Sequence, residues 1–535
     1  MMIAKIRSHK RPICNSIESA WRSQLSFRCL SSRVIENDAM KSSNSTQHFD
    51  VTIVGGGAVG SLMAFLLSKK VPSLRVALLD SRTPKLGKDV LNEKTSIEPN
   101  ARAYALSPTS LDLLGDNVLN RLCGNERVAF YDAMQVWESN GPAALHFTKQ
   151  DLVSIGTEQK EILGAVIEDE PLVSCIWDEL RQAEQIKLLS PASIKKIVSS
   201  TSSNHPPGYA SPIEISYQIN KTESTLETDL LIAADGANSF VRKTLGNFPI
   251  VSMNYDRRAV TFTVKLGSSI KQTAFQRFQP NGPIALLPVW SNKDDEKGTI
   301  HYANIVWSTT PEEAEELQAL SNEDVVHRVN ALLQSGPTVT PPLFSDEMKS
   351  AAPWPFSDAA KGLEHLSNSI NTGLSMSGWT ERHQGFIVPP LITEVVGRRF
   401  GFDLNLMHAK KYVGPRSALI GDAAHTVHPM AGQGLNLGMA DAECLTRNIQ
   451  HVVESGMGIH GMAGLQHALQ QYETERQREV VAVMGGIQFL HSIFGTSFSP
   501  AIHARSIGMN IVNSVGLMRK QLVKVATGVD GVWRG

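Results

Sequence analysis

The segment Val51-Thr52-Ile53-Val54-Gly55-Gly56-Gly57-Ala58-Val59-Gly60, continued by Ser61-Leu62-Met63-Ala64-Phe65-Leu66-Leu67, restricts the fold of this chain most. An apolar strand runs into G-x-G-x-x-G and then a helix. Gly55 makes the tight turn, Gly57 lets the backbone approach a pyrophosphate, and Gly60 lets the helix pack on the strand. Ala58 sits where the helix begins, and a helix N-terminus favours an anion. A second strand, Leu74-Arg75-Val76-Ala77-Leu78-Leu79, ends in Asp80, 20 residues beyond Gly60. An acid is needed there to hold adenosine ribose hydroxyls. The glycine pattern alone is weak. Gly456-Met457-Gly458-Ile459-His460-Gly461 also matches it, but follows a helical stretch with no strand before it, and reads as an interhelix loop.

Two distant segments strengthen the first. In the run from Ala418 to Asn436, a short strand ends in Gly421-Asp422, passes a loop with Pro429 and Gly432, and opens a helix at Gly434-Leu435-Asn436. The carboxylate of Asp422 can accept hydrogen bonds from a polyol, and the bare amides near Gly434 can face an electron-rich ring edge. A flavin offers both groups. Residues 229–242 form a buried strand ending in Asp235-Gly236, then a turn and a helix start. An Asp-Gly pair after a strand is ordinarily just a turn; its company here gives it a cofactor role. The combination names FAD.

Read in order, the three segments resemble the fingerprints of the class A flavoprotein monooxygenases, the p-hydroxybenzoate hydroxylase-like superfamily. Within it the chain is most similar to the mitochondrial ubiquinone-biosynthesis ring hydroxylases. The likeness rests on Met134-Gln135-Val136-Trp137, Asn254-Tyr255-Asp256, residues 276–288, Val306-Trp307-Ser308-Thr309 and residues 472–478. It covers roughly residues 48 to 525. The resemblance implies that Arg102 reaches the cofactor phosphate or ribityl region; by itself it reads equally as a surface arginine.

Near-balanced charge, 51 basic against 52 acidic residues, argues against nucleic acid as the main partner. Residues 1–34 nevertheless carry seven Lys/Arg and one acid, Glu18. An Arg-rich, Ser-rich, acid-poor leader of this kind fits a mitochondrial transit peptide cleaved near Arg28 to Arg33. A disordered basic tail and a plastid leader are the alternatives. Cys123, Cys175 and Cys444, the cysteines beyond the leader, have no metal-like spacing and read as packing residues. No disulfide framework or metal site is expected. No run of 18 apolar residues occurs, so no membrane span is expected, and Val480 to Leu490 is read as broken by Gly485 and Gly486.

These features predict an α/β fold: a discontinuous Rossmann-like FAD-binding domain, a mixed β-sheet substrate domain and a C-terminal helical region. The expected divisions are a leader over 1–45, cofactor domain over 46–250 and 396–460, and a β-rich domain over 251–395 with an insertion at 337–380. Residues 461–535 form the helical end. Leu172, Ile176 and Leu180 predict a helix, while Ile213–Ile219 and Val260–Leu266 alternate as half-buried strands. Gly282, Pro283 and Ala285 are candidates for a pocket wall small enough to let a ring approach, opposite Pro429. His425 and His428 are read as structural rather than catalytic. The basic terminal helix, Leu517–Lys524, suits either a membrane surface or docking on its own protein.

The family likeness implies hydroxylation of a polyprenyl-4-hydroxybenzoate ring at carbon 5, beside the phenol, by O2 through a flavin hydroperoxide. It further implies electrons from NADPH by way of ferredoxin reductase and ferredoxin, and association with other ubiquinone-biosynthesis proteins. The implied location is the matrix side of the mitochondrial inner membrane, held peripherally. A prenyl-reductase type of flavoenzyme and a flavin-binding scaffold subunit are the alternatives.

Overall fold

The computed structural model describes residues 46–92, 98–152, 162–199, 211–294, 298–338, 342, 361–367, 369, 386–428 and 432–527. The expected leader, most of the expected insertion at 337–380, and Pro429 lie outside the described residues.

The first sheet is built on Gln47–Val54 (β1), which enters Ala58–Lys70 (α1) through the glycine turn. β1 pairs in parallel with Val76–Leu79 (β2), and β2 with Ile186–Leu189. Helix Asp169–Gln182 (α2) packs here through buried Leu172, Ile176, Trp177 and Leu180. On its other side β1 pairs in parallel with Thr222–Ala233 (β3), and β3 with Ser417–Leu419. Both faces of this sheet are covered, so β2 reads as a continuous apolar run and β1 is buried on both faces from Phe49 onward, Asp50 and Thr52 included. Strand Ile213–Ile219 extends β3 antiparallel, as its alternation predicted.

The second sheet centres on Ile250–Leu266 (β4), paired antiparallel with Gly298–Thr309 (β6) and Ile392–Ala409 (β7); Ile284–Pro288 (β5) continues it beside β6. Val260, Phe262 and Val264 are fully buried and form a core with Ala314, Leu317, Val325 and Val329. The opposite, polar face of β4 is covered too. Thr261 and Thr263 donate from Oγ1 to the carbonyls of Ala101 and Pro99 at 3.1 and 3.0 Å, and Asn304 donates to Ala101 at 2.9 Å. Alternation here marks an apolar core on one side and a hydrogen-bonded seam with the cofactor domain on the other.

Two expected boundaries differ from the structure. Strands Ala133–Glu138 and Ala144–Thr148 lie within 46–250, yet they pair into the second sheet through Thr273–Phe278. Pattern and spacing do not report which sheet a strand joins. The division at 395/396 likewise cuts through β7, one strand running from Ile392 to Ala409.

Helix Gln433–Glu454 (α3) packs on α1, and Met462–Gly495 (α4) packs on α3. Gly456 and Gly458, at φ +78° and +64°, lie in the loop between α3 and α4, so the second glycine match is the interhelix loop expected of it. Gly485 and Gly486 do not interrupt α4, because buried Val480, Met484 and Ile487 hold it through them. Ser499–Ser514 (α5) and Gly516–Thr527 (α6) dock on the 133–152 segment. Arg505 and Ser506 bond the buried Glu138, and Arg519 Nε donates to Asp151 at 2.7 Å. Thus α6 docks on its own protein through Arg519 and Val523, leaving Met518 and Leu522 exposed. Among the described residues, no helix is long and apolar enough to cross a membrane.

Candidate functional site

The glycine turn is fixed by main-chain crowding at two positions and open at a third. Gly55 adopts φ +102°, and a Cβ there would lie 2.3 Å from the Ala234 carbonyl oxygen. A Cβ on Gly60 would lie 1.8 Å from the Gly55 carbonyl oxygen. A Cβ on Gly57 would meet nothing within 4 Å. Helix α1 begins there with no side-chain cap and no acid in its first turn, while Lys69 and Lys70 occupy its last. Its first N–H groups, including that of Ala58, are left for an anion. Asp80 accepts from the Gly56 N–H at 2.6 Å and the Arg82 N–H at 2.7 Å. Each carboxylate oxygen retains a lone pair for a ribose hydroxyl. Gly56 and Trp177 were not picked out from sequence: the indole N–H donates to the Gly56 carbonyl at 2.8 Å, and a Cβ on Gly56 would lie 2.4 Å from that ring.

The other two turns touch the first. Asp235 Oδ2 accepts from the Phe240 and Val241 N–H groups at 2.7 and 3.1 Å, capping a short helix, while its Oδ1 is buried without a partner among the described residues. Arg242 donates to the carbonyls of Ala237 and Ala423, both at 2.6 Å, joining the Asp-Gly turn to the Gly-Asp turn. Gly421, at φ +57°, packs against Val59 of α1; a Cβ on Gly438 would press on Val59 at 2.7 Å.

Asp422 is solvent-accessible, and among the described residues its carboxylate makes no hydrogen bond. Burial by the surrounding walls raises its pKa, while His425 and Arg102 pull it down. Arg102 donates to Tyr104 Oη at 3.2 Å and pairs with Asp169 at 3.2 Å, and Tyr104, Asp169 and Asp422 all favour its charge. Gly432 adopts φ +61°, and α3 starts beside Gly434 and Leu435 with no side-chain cap and no acid in its first turn. The Asn436 side chain is engaged by main chain. Its amide donates to the Ala105 and Gly432 carbonyls and accepts from the Ser107 N–H, all at 2.9 Å. It is a clasp between the α3 start and residues 105–107, since its polar atoms are engaged by main chain. Gly282 has a different reason from the one expected: it sits at φ +135°, where a Cβ would lie 2.5 Å from the Ser308 carbonyl oxygen. Pro283 accepts from the Ser308 N–H, and Ala285 stands on the β5 face opposite the buried Ile284 and Leu286.

Beneath the Gly-Asp turn lies a residue that sequence reading missed. Asp441 is fully buried and accepts from the Gly421 N–H at 2.8 Å and from Arg476 Nε at 2.7 Å, with His425 Nε2 at 2.7 Å. Burial opposes its ionisation, but His425 and Arg476 outweigh that and hold its pKa below the ordinary carboxylate value. His425 is therefore engaged as a support. Burial, with the nearby His491 and Arg257, pushes His428 down to about 4. Its ring lies edge-on to Tyr255 at 5.1 Å. Because the folded pKa is depressed, this group contributes stability above the unfolded value near 6.5, lost as pH falls through about 4. We expect His428→Phe to flatten the fall in melting temperature between those pH values; an unchanged profile would remove His428 from that account.

The three turns fit FAD. The open space at Gly57 and uncapped α1 suit a pyrophosphate, Asp80 a ribose, and the free carboxylate of Asp422 a ribityl chain. Asp422→Ala removes charge-assisted hydrogen bonds of about 1.5–3 kcal/mol each, so FAD affinity should fall ten-fold or more in a folded protein. Undiminished yellow colour after purification would exclude Asp422 as a ligand.

The FAD binding domain family matches residues 203–354 and 382–485. Among solved structures, p-nitrophenol 4-monooxygenase PnpA from Pseudomonas putida DLL-E4 superposes with a TM-score of 0.58 at 17% identity, covering 89% of this chain and 97% of that one. PqsL from Pseudomonas aeruginosa, a probable FAD-dependent monooxygenase, gives 0.54 at 18% identity, covering 86% and 99%. Family match and cradle together define an FAD-binding protein, and the two solved structures share its fold.

The curated relatives go further. "Ubiquinone biosynthesis monooxygenase COQ6, mitochondrial" of Drosophila melanogaster is 30% identical, over 91% of each chain. The Homo sapiens protein of that name is 31% identical over 90% of this chain and 92% of its own, and the Xenopus tropicalis one 32% over 91% and 95%. This chain belongs to the family of mitochondrial ubiquinone-biosynthesis monooxygenases.

Proposed function

We propose that this chain hydroxylates the ring of a polyprenyl-4-hydroxybenzoate intermediate at carbon 5, beside the phenol, on the route to ubiquinone. The observation that carries the reading is the contact of three distant turns with one another, in a chain whose relatives are named for this pathway. Bound FAD supplies the oxygen chemistry, and the protein positions the cofactor and excludes water. Gly57 and the α1 start would hold the phosphates, Asp80 the adenosine ribose, and Asp422 with Arg102 the ribityl region. Val166, Val289, Tyr302 and Val396 form a buried apolar cluster where a small three-stranded sheet containing Val166 meets the second sheet.

The relatives' names place them in mitochondria. A polyprenyl tail is insoluble in water, which supports a peripheral position on the matrix side of the inner membrane and contact with other proteins of the pathway. Electrons would arrive from NADPH through ferredoxin reductase and ferredoxin. Loss of the gene should cause accumulation of a polyprenyl-hydroxybenzoate lacking one oxygen, detected by mass spectrometry. An unchanged precursor pool would reject the substrate. Turnover without oxygen consumption would favour a prenyl reductase, and full complementation by a flavin-free Asp422→Ala protein a scaffold.

A further inference from the structure

We infer that His48, Asp50, Asp229 and His460 bind a divalent metal ion of the zinc type at the end of the first sheet away from the glycine turn. His48 and Asp50 stand two apart on β1 and so share a face. Asp229 comes from the adjacent parallel strand β3, and His460 from the loop between α3 and α4. One ligand atom from each of His48, Asp50 and Asp229 lies within 4.8 Å of the others. His48 Nε2 is 3.4 Å and His460 Nδ1 2.8 Å from Asp229 Oδ2, and His460 Nδ1 is 3.9 Å from Asp50 Oδ1. Zinc bonds of about 2.1 Å in a tetrahedron place ligand atoms about 3.4 Å apart, so small side-chain shifts complete the shell.

Each carboxylate gives one oxygen to the fold and turns the other toward the imidazoles. Asp50 Oδ2 accepts from the Arg75 N–H at 2.6 Å, and Asp229 Oδ1 from Arg416 Nη1 at 3.1 Å. Ligating carboxylates are characteristically oriented by such outer bonds. Arg416 also donates to the His460 carbonyl at 2.9 Å, which fixes the loop under the sheet. Both aspartates are buried, while the His460 side chain is 65% exposed and gives the ion access. Arg416 offsets part of the carboxylate charge, and two imidazoles suit zinc better than calcium or magnesium, which prefer oxygen shells. The site lies five residues from Gly55 along β1, about 16 Å, too far to touch the flavin. Its work is to clip the α3–α4 loop to the sheet. Cysteine spacing leaves such a site invisible, because its ligands come from three distant segments and none is a cysteine.

The rival is plain histidine–aspartate pairing without an ion. The test is titration of the chelator-treated, FAD-loaded protein with ZnCl2, reading bound zinc by elemental mass spectrometry and melting temperature in parallel. Binding of one zinc per chain with a raised melting temperature is expected. His48→Ala and His460→Ala should each weaken binding at least ten-fold and abolish the shift, with the flavin spectrum unchanged. Substoichiometric zinc, or wild-type affinity in both variants, would overturn the inference.

Discussion

Gly57→Ala should yield a folded protein that binds FAD roughly ten- to hundred-fold more weakly, and Gly60→Ala a protein that fails to fold. Both add the same methyl group to the same turn, Gly57 at the N-cap of α1 and Gly60 within its first turn. What decides the outcome is the neighbour. At position 60 the methyl would sit 1.8 Å from the Gly55 carbonyl oxygen, which the tight turn holds in place. That overlap should cost more than the about 1–3 kcal/mol typical of overpacking. At position 57 the methyl meets no protein atom within 4 Å, and φ of −68° is ordinary for alanine. The apo fold therefore tolerates it. The open space is where a pyrophosphate approaches, so the cost falls on binding: about 1–3 kcal/mol, or roughly ten- to hundred-fold in affinity. Thermal melts and flavin absorbance on the same samples separate the two effects. A Gly57→Ala protein with normal FAD affinity would contradict the placement of the phosphates.

Asp441→Asn should destabilise the protein by about 3–5 kcal/mol and weaken FAD binding as a consequence. The change is nearly isosteric, so no cavity forms. What is lost is the charge that faces Arg476, itself buried, and His425. A total stability of about 5–15 kcal/mol leaves little margin for a buried guanidinium whose remaining ionic partner is Glu479. The Asp441 carboxylate also holds the Gly421 N–H, so the turn presenting Asp422 loosens with it. The native contribution is present above the ordinary carboxylate range and is lost only as pH falls through the depressed pKa of Asp441. Wild-type melting and flavin content in Asp441→Asn would show that the buried carboxylate is not what braces the turn.

The cofactor side was legible in the sequence wherever a backbone demand forces a residue type. Gly55 is required by the Ala234 carbonyl oxygen of the neighbouring strand and Gly60 by the Gly55 carbonyl oxygen, and the strand before them is buried on both faces. Asp441 and Arg476 carried no such signal. Each stands in a helix as one charged residue among several, and only packing of α3 against α4 buries them together. The same reason hid the Trp177–Gly56 bond and the membership of Ala133–Glu138 in the second sheet. Asn436 stood in the expected motif, and its side-chain bonds to residues 105 and 107 at the start of α3 carried no signal in the sequence.

The most direct measurement is titration of the purified, folded protein with FAD, followed by the absorbance bands of bound flavin. Saturation at a single FAD per chain, shifted to roughly ten- to hundred-fold higher FAD concentration in Gly57→Ala, is the expected result. A well-folded protein that stays colourless after reconstitution would contradict the claim that these three turns form a flavin cradle.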